Sequence, residues 1–302
     1  MHNRILDISD SGARLSVRHR QLIVARQDCA EVSVPFSDLA VLVIAHPQVS
    51  LTQPVLATLV ENGGTLVTCD ERRLPSGMML PLQAHSVQTE RFAAQAACSL
   101  PTRKRLWQQV VRAKIRAQAD VLIEFRQSDS GLGALVANVK SGDMTNVEAQ
   151  AARRYWTALF ASNTFRRDPD AQDQNRLLNY GYAVLRAIVA RAICAAGLHP
   201  SLGLHHHNKY NPFCLADDLM EPFRPVVDRI VAQFVEERGF EADLDQTARR
   251  EMLSSLTGRC ECDGESRTLF DAASRVASSL VEVFQGQGRD IALPQRVHHA
   301  AT

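Results

Sequence analysis

The sequence predicts an α+β protein, in which a small β-rich domain at the N-terminus precedes a larger all-α domain. Two observations support this prediction. The first seventy-odd residues contain short apolar runs with strand alternation, interrupted by glycine and proline. From about residue 87 onward, long segments show helical spacing and the alternation disappears. We therefore expect a β-rich domain over 1–77, a linker over 78–86 and an all-α domain over 87–302.

The predicted strands come first along the chain. In "ARLSVRH", Leu15 and Val17 share one face, and in "EVSVPF" Val32 and Val34 do the same. The continuous apolar run "LAVLVIAH" is typical of a strand covered on both faces. One helix is expected in "VSLTQPVLATLVENGG", followed by a strand in "TLVTCD". Proline and glycine in "RLPSGMMLP", residues 73 to 81, indicate a linker.

Six longer segments of the second part have helical spacing. The third of them is expected to stop at Gly197, since glycine commonly follows the last helical residue. We expect these helices to build the larger domain. The segments are "TRKRLWQQVVRAKIRAQADVLIEF", "NVEAQAARRYWTALF", "QNRLLNYGYAVLRAIVARAICAAG", "RPVVDRIVAQFVEERG", "DQTARREMLSSL" and "RTLFDAASRVASSLVEVFQG".

The bulk composition is that of a soluble globular protein. Hydrophobic residues make up 45% of the 302 residues and charged residues make up 22%. The net charge of +1 gives no overall electrostatic attraction to nucleic acid. We expect no apolar run long enough to span a bilayer and no signal peptide, which favours the cytoplasm. The chain has 7 cysteines, and the spacing of Cys260 and Cys262 favours reduced thiols over a metal site.

Glu148 lies on the same predicted helical stripe as Tyr155 and Leu159. A carboxylate on that stripe points toward the interior, where it needs a cation, a donor or a metal. The alternative is that Glu148 is a solvent-facing acid in the first turn, where its negative charge is stabilised by the positive end of the helix dipole. For one glutamate alone, this alternative is the better interpretation.

The stretch "LGLHHHNKYNPFCLADDLMEPFRP" offers a second group of polar side chains. Imidazole plus two carboxylates suits Mn²⁺ or Mg²⁺, with zinc as the second choice. The alternative is a polar loop that runs into a solvated acidic helix face, opposite an apolar stripe. Pro222 and Pro225 fall inside the helical pattern, where proline removes backbone hydrogen bonds and bends the chain. This favours a metal site over a regular solvated helix. The candidate ligands are the three histidines 205–207 with Asp217, Asp218 and Glu221.

Basic residues cluster in the first long helix. Arg105, Arg112 and Arg116 share a helical face by their spacing of seven and four. Such a cluster can contact the phosphate backbone of DNA without reading bases. The alternative, solvated helix faces, is the better one for any single arginine. The wider patch comprises Arg103, Lys104, Arg105, Arg112, Lys114 and Arg116, with Arg153, Arg154, Arg166 and Arg167 near Glu148.

Three segments carry a resemblance to a known family: "LWQQVVRAKIRAQ", "GDMTNVEAQAARRYW" and "NRLLNYGYAVLRAIVARAICAAGLHPSLGLHHHNKYNPFCLADDLMEPFRP". They resemble the CRISPR-associated adaptation endonuclease, the first Cas protein, in its type II version. The resemblance covers essentially the whole chain and is most specific between residues 142 and 225. It implies a metal-dependent DNA endonuclease and integrase that inserts prespacer DNA into a CRISPR array by 3′-OH transesterification.

The resemblance also implies site residues. The family's metal-binding glutamate corresponds to Glu148, and its final acid corresponds to Glu221. The family's Gly-Leu-x-His-x-Asn pattern selects His206, and His205 and His207 are the alternatives in neighbouring register. The implied cofactor is Mg²⁺ or Mn²⁺. Candidates for support around these ligands are Asn208, Asp217 and Asp218.

The implied partners are double-stranded DNA, from prespacer and repeat, and a small ferredoxin-like second Cas protein. The resemblance further implies a homodimer formed through the β-rich domain, with the effector nuclease as an additional candidate partner. Two other function classes compete with this one. A DNA-binding scaffold would have lost catalysis, and a metalloenzyme for a small molecule would act without DNA.

Overall fold

The computed structural model describes residues 3–296, apart from 72, 82, 172, 241 and 263. The chain divides into two compact units, Met1–Ser86 and Val87–Thr302. The first is strand-rich and the second is mostly helical, so the α+β fold class is confirmed.

In the part of the first unit that the structure describes, there are two four-stranded sheets and one α-helix, α1 (Gln53–Glu61). One sheet has the order β1-β5-β7-β8, and the other has the order β4-β3-β2-β6. A buried cluster that includes Leu15, Leu22, Leu42 and Leu59 forms the core of this unit. The strands are β1 (Arg4–Ile8), β2 (Ala13–Arg18), β3 (Gln21–Ala25), β4 (Val32–Pro35), β5 (Leu39–Ile44), β6 (Val49–Leu51), β7 (Thr65–Cys69) and β8 (Pro75–Met79).

Strand β5 is the apolar run that the sequence predicted to be covered on both faces. It pairs in parallel with β1 on one side and β7 on the other. All its residues from Leu39 to Val43 are buried. Because these side chains are already buried within one chain, β5 leaves little apolar surface for a second copy to cover.

The expected linker over residues 73 to 81 is wrong for its central part. Pro75–Met79 forms β8, which pairs antiparallel with β7, and the first unit extends to residue 86. Proline is tolerated here because it is the first residue of an edge strand, where its missing N–H leaves no ladder bond unmade. Two further strands, β1 and β3, were not predicted, and Val49–Leu51 is a strand rather than the start of α1.

The second unit is built from nine helices within its described residues. The six predicted long helices are all present, with ends within a few residues of those expected. The helices are α2 (Gln88–Ala96), α3 (Leu100–Arg126), α4 (Leu132–Val136), α5 (Val147–Leu159), α6 (Asn175–Ala195), α7 (Cys214–Met220), α8 (Arg224–Arg238), α9 (Gln246–Leu256) and α10 (Leu269–Phe284).

A β-hairpin corrects the expectation that this unit is all-α. Strands β9 (Arg259–Cys262) and β10 (Glu265–Thr268) pair antiparallel between α9 and α10. Cys260 and Cys262 alternate inward on β9, and both are buried cysteines outside any disulfide rather than residues of a polar loop. The strands are only four residues long, too short for alternation to stand out in the sequence.

Helix α6 occupies the centre of the second unit. It packs against α7, α8, α9 and α10. By length and composition alone it is apolar enough to cross a membrane, which corrects the expectation that no such run exists. In the fold, 78% of its most apolar window is buried, so the apolar residues serve the protein core.

Candidate functional site

Glu148 lies in the first turn of α5, and the preceding loop fixes where that turn begins. The buried carboxylate of Asp143 accepts hydrogen bonds from the backbone N–H groups of Val147 and Glu148, each at 2.9 Å. These bonds satisfy donors that a helix N-terminus otherwise leaves unpaired. Gly142 has φ +74°, a conformation that glycine adopts without strain. The "GDMTN" segment therefore sets the position of Glu148.

The stripe predicted for α5 is buried where the sequence placed it. Tyr155 and Leu159 are fully buried, and the Tyr155 hydroxyl donates to a carboxylate oxygen of Asp228 at 3.0 Å. Glu148 itself is partly buried, and its Oε1 lies 2.6 Å from the Nζ of Lys114 on α3. The carboxylate thus has the cation that burial in this position requires.

His206 is held by Asp218, a fully buried carboxylate on α7. Asp218 accepts hydrogen bonds from the backbone N–H groups of Leu204, His205 and His206, at 2.6, 3.0 and 3.2 Å. Its Oδ1 also lies 2.6 Å from the Nδ1 of His206. The hydrogen bond to Asp218 raises the pKa of His206, although burial opposes this. With Nδ1 engaged, Nε2 is the ring nitrogen that can bind a metal.

The loop before His206 depends on a glycine. A Cβ on Gly203 would lie 2.3 Å from the carbonyl oxygen of His206 and 2.9 Å from Oδ2 of Asp218. No side chain fits at that distance, so the close approach of this backbone to Asp218 requires glycine. Further along the loop, Asn208 accepts a hydrogen bond from the Tyr210 N–H at 3.0 Å, which supports the turn rather than the ligands.

The three adjacent histidines have different surroundings. His205 stacks on the buried Trp107, with ring centroids 4.3 Å apart and planes within 4°. His206 meets the same indole edge-on at 5.8 Å and bonds to Asp218. The Nδ1 of the exposed His207 lies 2.7 Å from the carbonyl oxygen of His205. Of the three, His206 is therefore the one supported by a buried carboxylate, in the way that metal-binding histidines commonly are.

The acids after the loop are buried, which corrects the interpretation of a solvated acidic face. Asp217, Asp218 and Glu221 are all at most 6% exposed. Asp217 lies 2.6 Å from the Arg186 Nε of α6 and accepts a hydrogen bond from Asn211 at 2.7 Å. Each acid has its own cation or set of donors, and this explains how the segment can be buried despite its charge.

Glu221 lies in a 3-10 turn between α7 and α8, where Pro222 interrupts the regular helix. Its Oε1 lies 2.9 Å from Arg224 Nε, and its Oε2 lies 2.5 Å from Lys114 Nζ. Burial alone would raise the pKa of Glu221, but Arg224 and Lys114 outweigh it and lower the pKa to about 2. Glu221 is therefore a carboxylate at any physiological pH.

Lys114 joins the two glutamates that come from separate parts of the chain. Sequence reasoning assigned this lysine to a basic patch for DNA and did not connect it with Glu148 or Glu221. A signal was present: Trp107, Val111 and Gln118, at helical spacing from Lys114, are all buried. A lysine on such a stripe faces the interior and requires an acidic partner.

The arrangement brings Glu148 and Glu221 together on one ammonium group, with His206 close enough to Glu221 to lower its pKa. Within the described residues, however, no three histidine, cysteine or acidic side chains are close enough to hold a metal ion as they stand. The donor chemistry nevertheless fits Mg²⁺ or Mn²⁺. Oε2 of Glu221 is buried and contacts the Lys114 ammonium at 2.5 Å without a well-directed hydrogen bond, so a metal ion at this oxygen would compete with Lys114.

The predicted basic face of α3 is only partly a surface. Arg116 is exposed, whereas the half-buried Arg112 donates to the carbonyl oxygen of Val139 at 2.9 Å. On α5, Arg153 and Arg154 are both exposed. An open cavity of about 360 Å³ also adjoins the site; its lining includes His206, Lys209 and Arg103.

Comparisons with known proteins agree on one family. Residues 6–259 match the family model of CRISPR associated protein Cas1. The chain is 37% identical over 288 residues to a CRISPR-associated endonuclease Cas1 of Neisseria meningitidis, and the match covers 94% of each. A casposase bound to integration product has a similar fold, with a TM-score of 0.78 at 20% identity, covering 96% of this chain and 92% of that one. A Cas6-RT-Cas1–Cas2 complex matches 100% of this chain and 37% of its own, with a TM-score of 0.76 at 19% identity.

Proposed function

This chain belongs to the CRISPR associated protein Cas1 family, and from that premise we propose that it is a metal-dependent DNA endonuclease and integrase. It inserts prespacer DNA into a CRISPR array by 3′-OH transesterification, the spacer-acquisition step of antiviral defence in a type II system. One observation carries the proposal within the site. Glu148 and Glu221, from distant parts of the chain, converge on one cation beside a histidine whose Nδ1 is held by a buried carboxylate.

Glu148, His206 and Glu221 are the proposed ligands of Mg²⁺ or Mn²⁺. The two carboxylates supply the oxygen ligands that these ions prefer, and the imidazole shifts the preference toward Mn²⁺. When bound, the ion supplies electrophilic catalysis, by polarising a phosphoryl oxygen and offsetting the charge that develops there. Asp217 and Asp218 are not ligands in this proposal, since their oxygens are engaged by Arg186, Asn211 and the His206 loop.

The side chains around the ligands have separate roles. Asp218 orients His206 and keeps Nε2 directed away from its own carboxylate. Arg224 maintains the negative charge of Glu221. The reaction exchanges one phosphodiester for another: the prespacer 3′-hydroxyl loses its proton and its oxygen bonds to phosphorus, while the 3′-oxygen of the target strand at the repeat boundary leaves and takes up a proton. No nucleoside triphosphate is needed, because one phosphodiester bond forms for each one that breaks. Hydrolysis follows the same course with water as the nucleophile.

The test of this function is a strand-transfer assay with purified protein. The substrates are a prespacer duplex with free 3′-hydroxyls and a labelled target that contains the repeat. We expect covalent joined product with Mg²⁺ or Mn²⁺ and none in excess EDTA, with activity restored when the metal is returned. DNA binding without any joined or cleaved product under all metal conditions would instead favour the inactive scaffold. Metal-dependent activity on small phosphoesters without DNA affinity would favour the small-molecule enzyme.

Arg116, Arg153 and Arg154 are the proposed contacts to the DNA backbone, because they are exposed and lie on the two helices that carry Lys114 and Glu148. Replacing all three with alanine should weaken binding to unrelated duplexes about equally. If each arginine neutralises one phosphate, the log–log salt slope should become shallower by roughly 2 to 3 units.

The matched control for this experiment is Arg112→Ala. Its guanidinium bonds to a backbone carbonyl, so its loss should lower thermal stability without changing the salt slope. Arg105 is half-buried and is expected to contribute less to the slope than the three exposed residues. An unchanged slope in the triple variant would assign these arginines to another role.

Partners follow from the same premise. One structural neighbour of this chain is described as a complex that contains Cas2. We propose that this chain also assembles with a small ferredoxin-like Cas2 partner and acts on double-stranded DNA in the cytoplasm. Contact with the effector nuclease is an additional proposal, which co-purification would test.

We also propose a homodimer formed through the first unit. The apolar strand β5 does not support this interface, because its residues from Leu39 to Val43 are buried within one chain. Sedimentation of the full-length chain should give a dimer, and a fragment that begins at Val87, the first residue of the second unit, should sediment as a folded monomer with helical circular dichroism. A dimeric fragment would move the interface to the helical unit.

A further inference from the structure

Lys114 occupies an unusual place between the two proposed carboxylate ligands. Its Nζ lies 2.6 Å from Glu148 Oε1 and 2.5 Å from Glu221 Oε2, and the lysine side chain is only 12% exposed. A single ammonium therefore bridges two side chains that the sequence separates by more than seventy residues. Without a cation at this point, two carboxylates would face each other in a partly buried site, which costs free energy.

Arg224 contacts the same glutamate but is held differently. It reaches the other oxygen, Oε1, at 2.9 Å, and its guanidinium also lies over the Tyr182 ring at 4.6 Å from the centroid. Its position is therefore fixed by a second contact. Lys114 carries a compact charge on a flexible four-carbon stem, so its ammonium can withdraw from the carboxylates more readily than a stacked guanidinium.

We propose that Lys114 is a resident counter-ion, which holds Glu148 and Glu221 in place until a divalent ion binds and displaces its ammonium. This inference rests on the proposed metal-dependent function. Lys114 is a positioning residue here: it keeps the two ligands together at the cost of competing with the metal. Removing its charge should weaken the metal-free fold and strengthen metal binding at the same time.

The experiment is a calorimetric titration of the metal-free, full-length protein with MnCl₂, without DNA, alongside thermal unfolding in EDTA and in saturating Mn²⁺. Lys114→Met keeps the length of the side chain and removes its charge. We expect its Mn²⁺ affinity to rise by at least about tenfold, because the competing buried ion pairs are gone. Its melting temperature in EDTA should fall below that of the wild type, and Mn²⁺ should raise it by more than it raises the wild-type value.

Arg224→Met is the matched control, since it removes one positive charge from the other oxygen of the same carboxylate. Its melting temperature should fall both with and without Mn²⁺, and its Mn²⁺ affinity should not increase. An equal gain of Mn²⁺ affinity in both variants would show that the loss of any positive charge near Glu221 has this effect. That result would overturn the role of Lys114. Wild-type or weaker Mn²⁺ affinity in Lys114→Met would overturn it as well.

A measurement on the wild-type protein covers the case in which Lys114→Met does not fold. The chain has four lysines, at 104, 114, 140 and 209. Acetylation by a water-soluble ester, quantified by mass spectrometry, should rise at Lys114 on addition of Mn²⁺ and stay unchanged at the other three. No increase at Lys114 would contradict displacement.

The titration also separates this inference from the proposed function. Glu221→Gln should lose Mn²⁺ binding. If the wild type binds Mn²⁺ and Glu221→Gln does not, while Lys114→Met binds no more tightly than the wild type, only the role of Lys114 fails. If the wild-type protein binds no Mn²⁺ at all, the metal-dependent function and the inference fail together.

Discussion

Alanine at Glu148, His206 or Glu221 is expected to reduce metal-dependent strand transfer by at least about a hundredfold, the usual scale for loss of a group that stabilises charge in the transition state. Each replacement removes one proposed ligand. The measurement is the initial rate of joined product at saturating DNA, over a range of Mn²⁺ concentrations. Partial recovery at high Mn²⁺ would indicate weakened metal binding.

His205→Ala is the matched control for His206→Ala. The two imidazoles are adjacent, but His205 stacks on Trp107 whereas His206 is held by Asp218. We expect His205→Ala to keep most of its activity. An inactive His205→Ala protein beside an active His206→Ala protein would shift the proposed register by one residue.

Glu221→Ala requires a separate check of folding. Its loss leaves the charges of Lys114 and Arg224 without their shared carboxylate, and breaking a buried pair costs about 3 to 5 kcal/mol. Rates should therefore be measured well below the melting temperature of each variant. His206→Ala has the smaller folding cost, because the histidine side chain is 42% exposed, so it gives the cleaner test of the ligand set.

Because of Asp228, the unfolding free energy of the wild-type protein, relative to that of an Asp228→Asn variant, is expected to fall as the pH rises from about 4 to about 7. Burial raises the pKa of this carboxyl to about 7, against hydrogen bonds from Tyr182 and Tyr155 that lower it. In that pH range the folded state keeps a proton on Asp228 that the unfolded state has released. Stability therefore decreases as pH rises, by about 1.4 kcal/mol for each unit of pKa difference.

Urea unfolding at pH 4.5, 6 and 7.5 measures this effect. The difference in unfolding free energy between wild type and Asp228→Asn should decline steadily across the series. Asp28→Asn is a suitable control, because Asp28 is exposed in a turn with φ 56°, which asparagine also adopts. Parallel pH curves for wild type and Asp228→Asn would show that Asp228 is already ionised in the folded protein at low pH.

Much of the fold could be predicted from local pattern. The six long helices follow from the period of their apolar residues, and strand β5 follows from its continuous apolar run; both signals come from neighbouring positions in the chain. Elements with weak local signals were missed. The hairpin β9–β10 has only four residues per strand. Strand β8 begins with a proline, which in the sequence indicates the end of regular structure and is compatible with a strand only at the edge of a sheet.

The candidate site divides in the same way. The sequence by itself determined the motifs around Glu148, His206 and Glu221, because the glycine, histidine and acid spacings are local and the resemblance to the Cas1 family is carried by them. It also determined the inward stripe through Tyr155. It could not decide whether the acids at 217, 218 and 221 face water or the interior, since both outcomes fit the same helical spacing.

Only the tertiary structure decided which charges meet. Lys114 pairs with Glu148 and Glu221 across 34 and 107 positions, and Asp218 selects His206 through backbone and ring contacts. Such pairings are set by how α3, α5 and the turn before α8 pack against one another. The physical reason is that a buried charge must find its partner wherever packing places one, and periodicity along the chain carries no information about that distance.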